Sequence, residues 1–135
     1  MKLFLDTNVV LDYLAAREPF CLDIRPIFRE RIERNFELYV ASMTFTTMEY
    51  VLKKHIPHAA LMNEFMQLRQ AVEVVPTDGR IVDEAISSSF SDFEDAVQYY
   101  TAMSIGADVI ISRNANDFTE HSAIPVLSAG EFRDK

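Results

Sequence analysis

Four acidic residues end or follow apolar runs: Asp6 after Lys2-Leu3-Phe4-Leu5, Glu49 behind Leu38-Tyr39-Val40-Ala41, Asp95 within Asp92-Phe93-Glu94-Asp95, and Asp117 behind Val109-Ile110-Ile111-Ser112. Two bare carboxylates about 4 Å apart repel by roughly 4 kcal/mol at an effective dielectric near ~20, so four together need divalent cations or bound protons. Oxygen donors with no adjacent Cys or His suit Mg²⁺ or Mn²⁺ better than Zn²⁺.

The surrounding elements decide whether these acids meet. Leu3-Phe4-Leu5 reads as a buried strand that stops at Asp6-Thr7-Asn8, where short polar side chains favour turns and caps. Val9, Val10, Tyr13 and Leu14 then recur at helical spacing, limited by Pro19. A second helix is predicted from about Leu22 to Asn35, with Leu22, Ile24, Ile27, Phe28 and Ile32 inward and Pro26 confined to its first turn. Leu38 to Ala41 is a second strand, with Ser42 or Thr44 capping a helix that runs towards Pro57, and another helix covers His58 to Gln70. Val72 to Val75 is a third strand, with Thr77 as the cap of the helix through Ile86. Ser91-Asp92-Phe93-Glu94 has capping-box spacing, so a helix should start there and stop at Gly106. Asp108 to Ser112 is the clearest buried strand; Asn114 to Phe118 begins a short helix or turn, and Ile124 to Leu127 is a last short strand.

Strands alternating with helices imply an α/β fold: a three-layer α/β/α sandwich with a mainly parallel central sheet of four to five strands in one domain over residues 1–135. The carboxyl ends of the strands then share one edge with the starts of the following helices, where such folds bind ligands. Asp6, Glu49, Asp95 and Asp117 all belong to that edge.

Composition narrows the class. Thirteen Lys and Arg against twenty-one Asp and Glu give a net charge of −8. This argues against broad electrostatic adhesion to nucleic acid, although not against a nucleic-acid enzyme that borrows positive charge from metal ions. A lone Cys21 cannot form an internal disulfide framework, and short apolar runs predict no secretion signal and no membrane span, hence a cytoplasmic protein.

Phe4-Leu5-Asp6-Thr7-Asn8-Val9-Val10-Leu11-Asp12, then Glu49 in Thr47-Met48-Glu49, then Asp92-Phe93-Glu94-Asp95-Ala96, then Ile111-Ser112-Arg113-Asn114 with Asp117-Phe118, together resemble a bacterial PIN domain. The similarity runs in order from residue 2 to about 127, and many small stand-alone PIN proteins are VapC-type toxins. The resemblance implies a metal-dependent endoribonuclease in which Asp6, Glu49 and Asp95 hold Mg²⁺ or Mn²⁺ and Asp117 completes the acidic set. Asn8, beside Thr7, corresponds to the family's small polar residue that supports the site. Members often carry an acid in place of Asn114, so the fourth ligand is open between Asn114, Asp117 and a water held by either; Asp92, one turn before Asp95, is a further candidate. The resemblance also implies an RNA substrate, a VapB-like antitoxin and a homodimer, with no membrane partner.

Each acid also has a purely structural reading. Asp6 and Asp117 can cap helices, Glu49 can be an exposed helical residue, and Asp92 and Glu94 suit a helix amino terminus. Asp12 is expected to be solvated, and His55 and His58 to lie in a surface turn. Arg113 directly follows a buried strand and is expected to touch a substrate phosphate or a site carboxylate. Two other functions compete: an Asp-nucleophile phosphohydrolase built on Asp6, for which Asn8 stands where a second acid is expected, and a non-catalytic PIN-like scaffold that binds RNA or protein.

Overall fold

The computed structural model describes residues 1–119 and 121–134, with Asp117 and Thr119 described by backbone alone. The elements run β1 (Lys2–Leu5), α1 (Thr7–Leu14), α2 (Cys21–Glu30), β2 (Glu37–Ala41), α3 (Ser42–Leu52), α4 (His58–Ala71), β3 (Glu73–Val75), α5 (Gly79–Ile86), α6 (Phe93–Ser104), β4 (Val109–Ile111), α7 (Ala115–Thr119), β5 (Val126–Leu127) and α8 (Ala129–Arg133). The five strands form one sheet in the order β3-β2-β1-β4-β5, and every pairing is parallel. An α/β fold with a parallel central sheet is therefore what the alternation of elements produces.

The pleat divides the core. Leu3, Leu5, Leu38, Val40, Val109 and Ile111 face one layer, packed with α1, α2, α3 and α4. Phe4, Ala41, Ile110 and Val126 face the other, where Tyr99 and Ala102 of α6 and Phe118 of α7 cover them. Strands buried on both faces read as continuous apolar runs, because alternate side chains enter different cores. The chain builds outward from β1 to β3, then returns across the sheet to β4 and β5. The order thus reverses between β1 and β4, and the crevice at that reversal is where open α/β sheets admit ligands.

Several local expectations are corrected. Helix α1 stops at Leu14, well before Pro19, and the chain turns through Ala16 at φ 52°. Helix α2 begins at Cys21 and ends at Glu30, so Pro26 lies inside it and not in its first turn. Leu22 (52% exposed) and Ile32 (80% exposed) point outward: the buried stripe is Cys21, Ile24, Ile27 and Phe28, and Ile32 has passed the end of the helix. Ser42 is the first residue of α3 and Thr44 lies buried inside it, so neither caps it; Ala41 occupies the cap position.

Two further caps move by one residue. Asp78, not Thr77, caps α5 by accepting from the Ile81 N–H at 3.0 Å. Asp92, not Ser91, caps α6 by accepting from the Asp95 N–H at 2.9 Å. The capping box that does form is Ser128 with Glu131, at the start of α8, a helix the sequence reading lacks.

Ile110 is fully buried in β4 between β1 and β5. Ile110→Ala should cost about 2–5 kcal/mol, since a void opens where the layers cannot collapse. Urea unfolding should show a lower midpoint with an unchanged slope.

Candidate functional site

Asp6 leaves the end of β1 and caps α1. Its backbone N–H donates to the Ile111 carbonyl at 3.0 Å, which extends the β1–β4 ladder by one residue and brings Ser112 alongside. The Ser112 hydroxyl donates to Asp6 Oδ2 at 2.8 Å, and the Thr7 N–H donates to Asp6 Oδ1 at 2.8 Å. Asp6 is only 4% exposed. Burial is the largest influence on its carboxyl and pushes the pKa from 3.8 to about 6, outweighing those two hydrogen bonds; the charges of Glu94 and Asp92 add to the rise.

The start of α6 therefore faces the end of β1. Asp92 and Glu94 are exposed and Asp95 partly buried, while Ala96 through Tyr99 are buried. One turn beyond Asp95, the Gln98 side chain is buried and donates through Nε2 to Thr7 Oγ1 at 2.8 Å and Thr44 Oγ1 at 3.3 Å. The two threonine hydroxyls lie 2.8 Å apart. This polar cluster ties the starts of α1 and α3 to α6. The sequence does not reveal it: Thr44 reads as a cap, and Gln98 gives its only sign as a polar residue within the inward stripe of α6.

Glu49 is partly buried on α3. One turn before it, Phe45 packs edge-on against Phe65 of α4, with centroids 5.3 Å apart. Met43 marks the opposite flank, packed with Ile81, Ala96 and Val97 of α5 and α6. Helical spacing sets Glu49 on the α4 side with Phe45, and among the described contacts none joins it to Asp6. The face of α3 turned into the core carries Thr44, Met48 and Leu52. Asn8 is partly buried in the first turn of α1. Asn114 is exposed, and its backbone N–H donates to Ser112 Oγ at 3.1 Å. The Asp117 side chain lies outside the described residues.

Arg113 pairs with a carboxylate that was expected to be in water. Asp12 is 2% exposed, with Arg113 Nε 3.5 Å from Oδ2 and Arg17 Nε 3.1 Å from Oδ1. It is buried because α1 turns its Asp12 side towards α2 and the Arg113 loop; two guanidiniums compensate the lost hydration.

The site thus has a buried carboxylate at a sheet reversal with acids facing it. The PIN domain family model matches residues 2–116. The chain belongs to the PIN domain family. It is 27% identical to "Ribonuclease VapC1" of Aquifex aeolicus (strain VF5), over 99% of this chain and 94% of that protein. Its fold matches VapBC-1 from nontypeable Haemophilus influenzae with a TM-score of 0.72 at 18% identity, over 96% of this chain and 98% of that one. It also matches Mycobacterium tuberculosis VapC20, a "Sarcin-Ricin loop cleaving toxin", with a TM-score of 0.70 at 12% identity, over 90% and 96% of the two chains.

In this PIN domain the donor chemistry around Asp6 suits a hard divalent cation. Asp6 accepts two hydrogen bonds where a carboxylate offers about four acceptor sites, and the side chains that act on it, Ser112, Asp92 and Glu94, carry oxygen and no nitrogen or sulfur ligand atoms. Among the described residues no three His, Cys, Asp or Glu side chains form a ready-made cage. Mg²⁺ needs none, since one or two carboxylates with water and phosphate oxygens complete its shell.

The raised pKa of Asp6 fixes a pH dependence. The folded value lies above the unfolded one, so this contribution to stability is complete below 3.8 and is lost as pH rises through about 6. The loss amounts to ~3 kcal/mol at most. Asp6→Asn should therefore raise Tm by up to roughly 10 °C at pH 8 without added metal and change it little at pH 4. Equal shifts at both pH values in calorimetry would refute the burial argument.

Proposed function

We propose that this PIN domain is a Mg²⁺- or Mn²⁺-dependent endoribonuclease that cleaves single-stranded or structured RNA, the toxin of a VapBC-type pair. The observation that carries it is the buried Asp6 carboxyl at the β1–β4 crevice, with Asp92 and Glu94 raising its pKa across the gap. Family membership and the similarity to a VapC ribonuclease give the reaction class. Asp6 and Asp95 are assigned as metal ligands, with Asp117 completing the set and Asn114 or Asp92 as alternates. Thr7 and Asn8 support Asp6 from the first turn of α1.

When bound, the ion supplies water activation near neutral pH and neutralises charge on the reacting phosphoryl group. The chain's own residues do the rest. Ser112 and the Thr7 N–H hold the Asp6 carboxyl in one orientation. The Gln98–Thr7–Thr44 cluster keeps the start of α6, and Asp95 with it, in register with Asp6. Arg113, directly after Ser112, offers its guanidinium to a substrate phosphate. A phosphohydrolase using Asp6 as a nucleophile fits poorly, because Asn8 stands two residues on, where such an enzyme needs a second acid.

The partner follows from the same similarity: a VapB-like antitoxin, with the toxin itself homodimeric and working in the cytoplasm. Among the described residues no helix is long and apolar enough to cross a membrane.

With Mn²⁺ and a single-stranded RNA, Asp6→Asn and Asp95→Asn should each lower kcat at least 100-fold. Glu49→Gln, on the α4 flank, should stay within about threefold of wild type. Cleavage that persists in Asp6→Asn would remove the proposal. RNA binding without cleavage by the wild type would favour the scaffold reading. A large kcat loss in Glu49→Gln would return that residue to the ligand set.

A further inference from the structure

Beside the site, Phe20 and Arg113 form a stacked pair. The guanidinium carbon of Arg113 lies 4.1 Å from the centre of the Phe20 ring, while its Nε is held 3.5 Å from the buried Asp12. Arg113 is one residue from Ser112, whose hydroxyl holds Asp6, and so this pair adjoins the crevice. A long side chain clamped between a ring and a carboxylate has lost most of its rotamer freedom before any ligand arrives.

Charge and shape indicate what it would bind. Arg17 and Arg113 share the single carboxylate of Asp12, which leaves one positive charge in excess next to an acidic site on a chain of net charge −8. Phe20 is 42% exposed and the Arg113 side chain 32% exposed, so flat faces remain open to solvent. The pair itself lines a cavity of about 70 Å³ together with Val9, Asp12, Asp23 and Ile24, which admits water but is too small to enclose a ring. A planar ligand must therefore stack on the outer face. Aromatic and guanidinium planes are the surfaces on which unpaired bases stack, and paired bases in a duplex keep their faces hidden.

We propose that Phe20 and Arg113 form a stacking subsite for one unpaired nucleobase of the RNA, next to the phosphodiester presented to Asp6. Asp12 is a positioning residue that keeps the guanidinium flat against the ring. The subsite rests on the ribonuclease reading above and adds to it a grip on a base, distinct from the phosphate contact.

The test uses single-stranded RNA oligonucleotides with one abasic site stepped through the positions around the cleaved bond, in Mn²⁺ and in Mg²⁺. With wild type, one abasic position should lower kcat/KM about tenfold, mainly through KM. In Phe20→Leu that position should lose its effect, Phe20→Tyr should restore it, and Asp12→Asn should shrink it. A loss in Phe20→Leu that is equal on every oligonucleotide, or no loss at all, would overturn the subsite while leaving the ribonuclease reading intact. If wild type cleaves none of them with either metal, the ribonuclease reading falls and the subsite falls with it.

Discussion

Asp6 is a carboxylate carried almost completely out of water at the end of the central strand, and much of the surrounding structure answers that cost. A Ser112 hydroxyl and a Thr7 amide hydrogen-bond to it, yet burial still dominates and pushes its pKa up to about 6. Asp92 and Glu94 increase the penalty from across the crevice. A fold selected for stability alone would place an amide or a hydroxyl there. Strain of this kind is tolerated where a ligand relieves it, and the proposed divalent cation would offset both the burial and the repulsion.

The sheet order makes the arrangement possible. With β1 between β2 and β4, the central strand opens onto the one place where successive connections diverge. Asp6 and Ser112 stand on the two strands that bound this gap, and α6 crosses the second layer with its acidic start above them. Beneath, Thr7, Thr44 and Gln98 lock three helices together through buried hydrogen bonds. Helix α3 thus meets the site through a neutral polar contact, while its acid, Glu49, lies one turn from Phe45 on the same flank of the helix.

Electrostatics separates two regions of opposite character. The crevice is acidic and repels a polyanion unless a cation is present. Adjacent to it, the Asp12 cluster is net positive because one buried carboxylate serves two arginines. On the proposed ribonuclease reading, an acidic chain approaches RNA without a broad basic surface, because positive charge is concentrated beside the crevice.

Local signals in the sequence determined the order of the strands and of the helices up to α7, the parallel α/β class and the edge on which Asp6, Asp95 and the Asp117 segment fall. Apolar runs and turn residues act over a few neighbours, so they can be read without a fold. Caps shifted by a residue at Thr77/Asp78 and Ser91/Asp92 because adjacent short polar side chains compete for the same N–H groups. Other features needed the tertiary structure. Only the packing of α3 against α4 and α6 decides which flank carries Glu49, and only the meeting of α1, α2 and the loop after β4 buries Asp12 between two arginines. These depend on side chains distant in sequence, where Ser112 meets Asp6 and Gln98 meets Thr7, and the rotation of a helix about its axis is set by what it packs against.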